Sequence, residues 1–161
     1  MYRAIGLSSF IDVPILIVHI SSPAAAHHIN DAQKRGLPVS AETCPQYLFL
    51  TRKDLNKPGF EGEKCVCSPP PREGEQDHEG IWQGIENGTF TVFSPDHCLL
   101  IYDHTETGKK SVINTEYPNV RIKYIPNACP GVETRLSLAL SAKRLQLQKF
   151  VEVTSTNAAK L

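Results

Sequence analysis

The strongest constraint on the fold is an alternation of short apolar, β-branched runs with segments of helical pattern. The run at Val13–Ile20 is apolar at most positions, which is typical of a strand buried on both faces. The predicted strands are Val13–Ile20, Pro38–Thr43, Lys64–Ser68 and Thr89–Phe93, with a possible further strand at Arg121–Ile125. Because helical segments separate most of these runs, we expect about four parallel strands with right-handed crossovers and helices on one side.

Helix-ending residues mark the connections between the strands. Ser22 is suited to cap a helix over Ala24–Arg35, Pro23 fits its first turn, and Gly36 fits the position just past its end. The other predicted helices are Glu73–Asn87, Val132–Leu145 and Leu147–Val153. These signals predict both ends of the helix that follows the first strand.

Polar side chains recur at the point where each predicted strand ends. The first strand ends near His19, the second at Glu42, the third at Ser68 and the fourth just before Asp96. The carboxyl ends of barrel strands are where a (β/α) barrel gathers its active site. The sequence therefore predicts an α/β fold, a partial (β/α)8 TIM-type barrel, formed as one domain by residues 1–161.

The residue types at these ends are suited to metal-assisted hydrolysis. The neutral imidazole of His19 is a good metal ligand, and Asp96 is suited to bind a metal, to act as a general base, or both. A bound metal lowers the pKa of its water toward about 7, and a nearby Asp carries a proton to the leaving nitrogen. Spacing alone favours a structural role for His19 and also allows Asp96 to cap the next segment and Asn127 to be a turn residue.

Charge and hydropathy exclude several classes of partner. Lys plus Arg and Asp plus Glu both total 17, so the sequence gives no electrostatic case for binding nucleic acid or an anionic membrane. No apolar run is long enough to cross a bilayer, and the first residues lack the pattern of a signal peptide. Five cysteines without a CxxC pair predict reduced thiols and no cysteine zinc site. We therefore expect a cytoplasmic protein.

Six segments, taken together and in order, resemble one known family. They are PILIVHISS, ETCPQYLFLT, FEGEKCVCSPPPRE, IWQGIENGTFTVFSPDHC, IPNACPGVETRLSL and FVEVTSTNAAKL. They resemble the C-terminal half of the catalytic barrel of dihydropyrimidinase and D-hydantoinase, which are cyclic amidohydrolases. The resemblance covers nearly the whole chain from about Val13, and the combination of segments is highly specific.

The resemblance implies roles for individual residues. It implies that His19 is a metal ligand and that Asp96 is both a metal ligand and the general base. It implies that Ser68 and Asn127 contact the cyclic amide substrate, largely through their backbone. The implied reaction is hydrolytic ring opening of dihydropyrimidines or hydantoins to N-carbamoyl amino acids, with two zinc ions and a tetrameric assembly.

Several parts of the family pattern have no counterpart in this sequence. The His-x-His metal pair, the bridging carboxylated Lys and the small sandwich domain are not found. We therefore expect a half-barrel that is inactive by itself and that associates as a homo-oligomer or with a complementing half-barrel. The alternatives are a non-catalytic scaffold related to dihydropyrimidinase, and an allantoinase or dihydroorotase relative. Retention of both His19 and Asp96 favours an enzyme lineage.

Overall fold

The fold alternates three short strands with helices. The computed structural model describes residues 1–113 and 124–161. The strands are β1 (Ile15–Ile17), β2 (Val39–Thr43) and β3 (Val92–Phe93). The helices are α1 (Tyr2–Ile11), α2 (Pro23–Lys34), α3 (Gln46–Phe49), α4 (Arg52–Leu55), α5 (Glu75–Glu86), α6 (Arg135–Ser141) and α7 (Leu147–Val151), the last continuing into a π-helical turn at Glu152–Thr156. In the described part of the chain, no helix combines the length and apolar character needed to cross a bilayer.

The strands form a parallel sheet in the order β1-β2-β3. Ile15 lies opposite Val39 in the first pair, and Thr43 lies opposite Phe93 in the second. The prediction of parallel strands in an α/β fold is confirmed. The expected number, about four, was wrong for the described residues, which hold three strands and one isolated parallel bridge between His97 and Cys129.

The predicted strand at Lys64–Ser68 does not exist. Its first part belongs to a 3₁₀ helix at Gly62–Cys65, and the chain continues from Val66 without joining the sheet. Strand β2 already has β1 on one side and β3 on the other, so no edge of β2 remains for this segment. The three prolines that follow Ser68 also lack the donors that a ladder needs.

The hydrophobic core lies between the helices and one face of the sheet. Its fully or nearly fully buried members include Ile29 of α2, Ala41 of β2 and Ile81 of α5. Ile15 and Ile17 pack against this core, whereas Leu16, which points to the other face, is 42% exposed. The prediction that the first strand is buried on both faces was therefore wrong, because among the described residues the helices cover one face.

The boundaries of α2 follow the predicted signals. The Ser22 side chain accepts a hydrogen bond from the Ala25 N–H at 3.3 Å, and Pro23 occupies the first turn. Gly36 has a φ of 78°, the left-handed backbone that commonly ends a helix. The helix predicted at Glu73–Asn87 is α5, two residues shorter at its start.

Sequence patterns were less accurate near the chain ends. Helix α1 was not predicted, and the predicted Val132–Leu145 helix contains only α6, at Arg135–Ser141. The Leu147–Val153 prediction covers α7 and the start of the π-helical turn. The possible strand at Arg121–Ile125 begins outside the described residues, and Tyr124 and Ile125 belong to no strand.

Candidate functional site

The candidate site lies where the chain leaves the carboxyl ends of the three strands. His19 follows β1 by two residues, and Asp96 follows β3 by three. The Ile20 N–H donates to the Glu42 carbonyl at 2.8 Å, and the Ser94 N–H donates to the Thr43 carbonyl at 3.1 Å. Because the segments after β1 and β3 both bond to the end of β2, His19 and Asp96 lie at the same end of the sheet.

A chain of polar contacts connects His19 to Asp96. The His19 N–H donates to Glu42 Oε1 at 3.4 Å, and Cys44 Sγ lies 3.9 Å from both Glu42 Oε1 and Ser94 Oγ. Ser94 Oγ in turn accepts from the Asp96 N–H at 3.3 Å. Burial, followed by the nearby Glu42 carboxylate, raises the pKa of Cys44, so this contact is made by a neutral thiol.

His19 and Asp96 share an uncommon backbone conformation. Their φ angles are 43° and 46°, in the left-handed region that non-glycine residues adopt at a cost. Asp12 and Lys143 have the same conformation, but each lies just past a helix, where it is a common helix-ending geometry. His19 and Asp96 follow strands, where that local reason does not apply, so tertiary contacts at the strand ends hold them.

Ser68 and Asn127 lie on two segments that are bonded to each other. The Ala128 N–H donates to the Val66 carbonyl at 3.1 Å, which brings the segment before Ser68 against the segment that carries Asn127. The side chains of Ser68 and Asn127 are both exposed. The two segments are thus neighbours in the structure, and the predicted roles of Ser68 and Asn127 stay predictions, although the strand assigned to the first segment was wrong.

Tyr47 links these two segments to the strand-end network. Its ring packs with Cys44 and Cys67, and its hydroxyl donates to the Pro69 carbonyl at 3.1 Å. Burial raises the pKa of Tyr47, so the phenol remains a donor. The contacts thus run from the His19 backbone through Glu42, Cys44 and Tyr47 to the Pro69 carbonyl, which directly follows Ser68 in the chain.

Two arginines and a lysine hold the loops around the site. Arg72 Nη2 donates to Ser21 Oγ at 2.8 Å, and Arg135 Nη1 donates to the Phe93 carbonyl at 2.7 Å. Lys109 is 1% exposed, and its ammonium donates to three carbonyl oxygens at 2.9–3.2 Å. Burial lowers the pKa of Lys109.

Sequence reasoning did not select all of these residues. Glu42 was noted at a strand end, yet its contact with the His19 backbone depends on the pairing of β1 with β2. The sequence gives no indication that Lys109 is buried, because its neighbour Lys110 has the same side chain in the same loop. The accepting carbonyls all lie more than forty residues earlier in the sequence.

A metal centre is not complete within these residues. No group of three or more His, Cys, Asp and Glu side chains suited to hold a metal is present in residues 1–113 and 124–161. A catalytic zinc ordinarily has three protein ligands and a water, which His19 and Asp96 together do not supply. The described residues therefore do not fit a whole zinc site.

We compared the sequence and the fold of this chain with those of known proteins. No protein-family model matches the chain. It is 37% identical to a D-hydantoinase from Rhizobium radiobacter and 36% identical to one from Ralstonia pickettii, in both cases over 99% of the chain and 33% of the relative. The crystal structure of dihydropyrimidinase from Brevibacillus agri superposes with a TM-score of 0.86 at 36% identity, over 99% of this chain and 33% of that one.

These matches show that the chain is similar, along nearly all of its own length, to part of the TIM-barrel amidohydrolases of the hydantoinase type. Within that class it is a relative of the D-hydantoinases and dihydropyrimidinases along nearly all of its own length, so the resemblance carried by its motifs is confirmed. The chain spans about one third of the length of the relatives it matches.

Proposed function

We propose that this chain carries part of the active site of a dihydropyrimidinase-like cyclic amidohydrolase. The reaction is hydrolytic ring opening of 5,6-dihydropyrimidines or hydantoins to N-carbamoyl amino acids. The observation that carries the proposal is the position of His19 and Asp96. Both occupy left-handed backbone just after neighbouring parallel strands, in a chain that is 36–37% identical to D-hydantoinases.

Each predicted site residue has a role in this proposal. Asp96 is the general base, and its exposed position leaves the carboxylate open to a water and a substrate. His19 and Asp96 are metal ligands, and the backbone around Ser68 and Asn127 binds the cyclic amide. Hydantoinases are metal-dependent, and we propose zinc as the metal. Because residues 1–113 and 124–161 lack a full ligand set, the remaining ligands must come from elsewhere.

An open surface next to β1 supports a complementing partner. Val18 and Leu16 are about 41–42% exposed, and Phe10 of α1 is 87% exposed. Parallel sheets are normally covered on both faces, and an unpaired parallel edge is a template for another strand. We propose that residues 1–161 form one partial barrel domain in the cytoplasm, completed by the other barrel strands of the family or by a homo-oligomer.

The test measures zinc binding and turnover of the chain alone and of the chain together with the missing barrel strands. The purified chain is assayed for bound zinc and for dihydrouracil ring opening, followed by loss of ultraviolet absorbance, alone and co-expressed with the remaining barrel strands of a D-hydantoinase. We expect little zinc and no turnover alone, because general base catalysis by itself supplies only about 10²–10⁴-fold. We expect turnover in the complemented complex and none with Asp96→Ala.

Two results would contradict the proposal in different ways. Stoichiometric zinc and Asp96-dependent turnover by the chain alone would show that these residues complete a site by themselves. A stable, zinc-loaded complex that opens none of dihydrouracil, hydantoin, allantoin and dihydroorotate would instead favour the non-catalytic scaffold. Opening of only allantoin or dihydroorotate would assign the chain to one of those relatives.

A further inference from the structure

His97 connects two loops that carry predicted site residues. It directly follows Asp96, and its backbone forms an isolated parallel β-bridge with Cys129. Its side-chain Nδ1 accepts hydrogen bonds from the Gly131 N–H at 3.1 Å and from the Val132 N–H at 3.4 Å. One residue thus holds the second loop through both its backbone and its ring.

The two N–H groups fix how the imidazole of His97 is used. A backbone N–H can only donate, so Nδ1 is the acceptor and the proton of the neutral ring lies on Nε2. The Gly131 carbonyl accepts from the Arg135 N–H at 2.9 Å, so both donors belong to the turn that leads into α6. N–H groups at the start of a helical turn depend on acceptors from outside it, and the His97 ring supplies one.

The two loops also pack closely beside this ring. A Cβ added at Gly131 would lie 3.0 Å from the Pro95 carbonyl oxygen and 3.1 Å from Pro95 Cβ, which is closer than ordinary contact. The residue before Asp96 therefore packs directly on the segment that follows Asn127. Pro95 and His97 flank Asp96 on its two sides, and both touch the same segment.

Asp96 needs this support because its backbone conformation is uncommon. Its φ of 46° lies in the left-handed region, which costs a residue other than glycine free energy. The Asp96 N–H donates to Ser94 Oγ at 3.3 Å on one side, and the bridge and ring of His97 hold the other side. The conformation that sets the direction of the Asp96 side chain is thus fixed from both sides.

We propose that His97 is a positioning residue, which holds the loop of Asp96 against the segment of Asn127 through its Nδ1 acceptor. The catalytic consequence rests on the proposed function, in which Asp96 is the general base and the backbone near Asn127 binds the cyclic amide. A general base must lie within hydrogen-bond reach of its target, and a misplacement of about 1 Å lowers a rate by about 10²-fold. Loss of the acceptor should therefore reduce turnover although no group that touches the substrate is removed.

Two variants of nearly the same shape separate the acceptor from the size of the side chain. His97→Asn keeps an acceptor oxygen near the position of Nδ1, whereas His97→Leu has about the same shape as asparagine and no acceptor. His104→Leu is the control, since His104 is an exposed histidine in the connection that follows β3.

The first measurement is amide hydrogen exchange in the full 161-residue chain, which needs no catalytic activity. We expect His97→Leu to speed exchange at Gly131 and Val132 by roughly tenfold, because their acceptor is lost. His97→Asn and His104→Leu should exchange like the wild type at both positions, and α2 should be unchanged in every variant. Unchanged exchange at Gly131 and Val132 in His97→Leu would overturn the proposal. Equal acceleration in α2 would also overturn it, because His97 would then support the whole fold.

The second measurement is turnover of dihydrouracil by the chain complemented with the remaining barrel strands of a D-hydantoinase, expressed per bound zinc. We expect His97→Leu to lower kcat by about 10²-fold, His97→Asn to restore most of it, and His104→Leu to leave it unchanged. A merely structural role would reduce the amount of zinc-loaded complex and leave kcat per bound zinc the same, and that result would overturn the proposal. Absence of turnover in the wild-type complex would instead contradict the proposed function, and the exchange at Gly131 and Val132 would then decide the role of His97 by itself.

Discussion

The helix-covered face of the sheet and the surface at its carboxyl end are stabilised in different ways. On the covered face, Ile29 and Ile81 are fully buried and belong to one apolar cluster with the strands. At the carboxyl end, the chain between Gly62 and Arg72 has one short 3₁₀ helix, and its carbonyls are satisfied by donors from far along the sequence. The stability of the covered face depends on buried apolar area, whereas the order of the carboxyl-end segment depends on a small number of polar contacts.

This difference matters for function because the two regions tolerate change differently. An apolar core loses stability in proportion to the volume removed, and other residues still hold the fold. A loop whose carbonyls depend on one buried ammonium loses several contacts at once when that ammonium is removed. The candidate site lies in the second region, so its shape depends on residues such as Lys109 that are not among the predicted site residues.

The largest effect is expected in the core. Ile29→Ala should lower the free energy of unfolding by about 2–5 kcal/mol, since Ile29 is 0% exposed and truncation leaves a cavity. Urea unfolding followed by circular dichroism measures this change. Leu99→Ala is the control, because Leu99 is 73% exposed and its truncation should change stability by less than about 0.5 kcal/mol. Equal losses in the two variants would show that the helix-covered core does not dominate stability.

A smaller but more localised effect is expected at Lys109. Lys109→Met keeps the length of the side chain and removes the donor to the carbonyls of Glu63, Lys64 and Val66. We expect a loss of roughly 1–3 kcal/mol, because three hydrogen bonds from a buried charged donor are lost, although the Glu63 and Val66 carbonyls each keep one backbone donor. Hydrogen exchange should speed up at residues 62–68 and stay unchanged in α2.

The adjacent lysine is the matched control for this prediction. The Lys110 ammonium lies 4.2 Å from the centre of the Tyr102 ring and is partly exposed. Lys110→Met should therefore cost no more than about 0.5–1 kcal/mol. If both variants open residues 62–68 to the same degree, the buried ammonium is not what orders this segment.

The smallest of the three effects is expected at the start of α2. Ser22→Ala removes the acceptor of the Ala25 N–H and should cost about 1 kcal/mol. Ser22→Asp keeps an acceptor and places a negative charge at the helix start, so it should retain most of the stability. The measurement is the urea midpoint of each variant. An alanine variant as stable as Ser22→Asp would mean that tertiary packing alone positions this helix.

Local signals in the sequence were sufficient for the elements that pack on the sheet. Ser22, Pro23 and Gly36 bounded α2 correctly, because capping and left-handed termination involve residues within one turn of each other. Placement of His19 and Asp96 after strands followed in the same way from apolar runs and their ends. Family motifs added the roles that we propose for these residues, which spacing alone had left open.

The sequence failed where pairing between distant segments decides the structure. Lys64–Ser68 has the composition of a strand, but in the assembled fold it begins in a 3₁₀ helix and its Val66 carbonyl bonds to Lys109 and Ala128 instead of to a neighbouring strand. In the same way, nothing local distinguishes the buried Lys109 from the partly exposed Lys110. Caps, helix ends and strand candidates were thus determined by the sequence itself, since their interactions are between near neighbours. The tertiary structure alone decided which apolar segments joined the sheet and which lysine was buried, because both depend on contacts between residues far apart in the sequence.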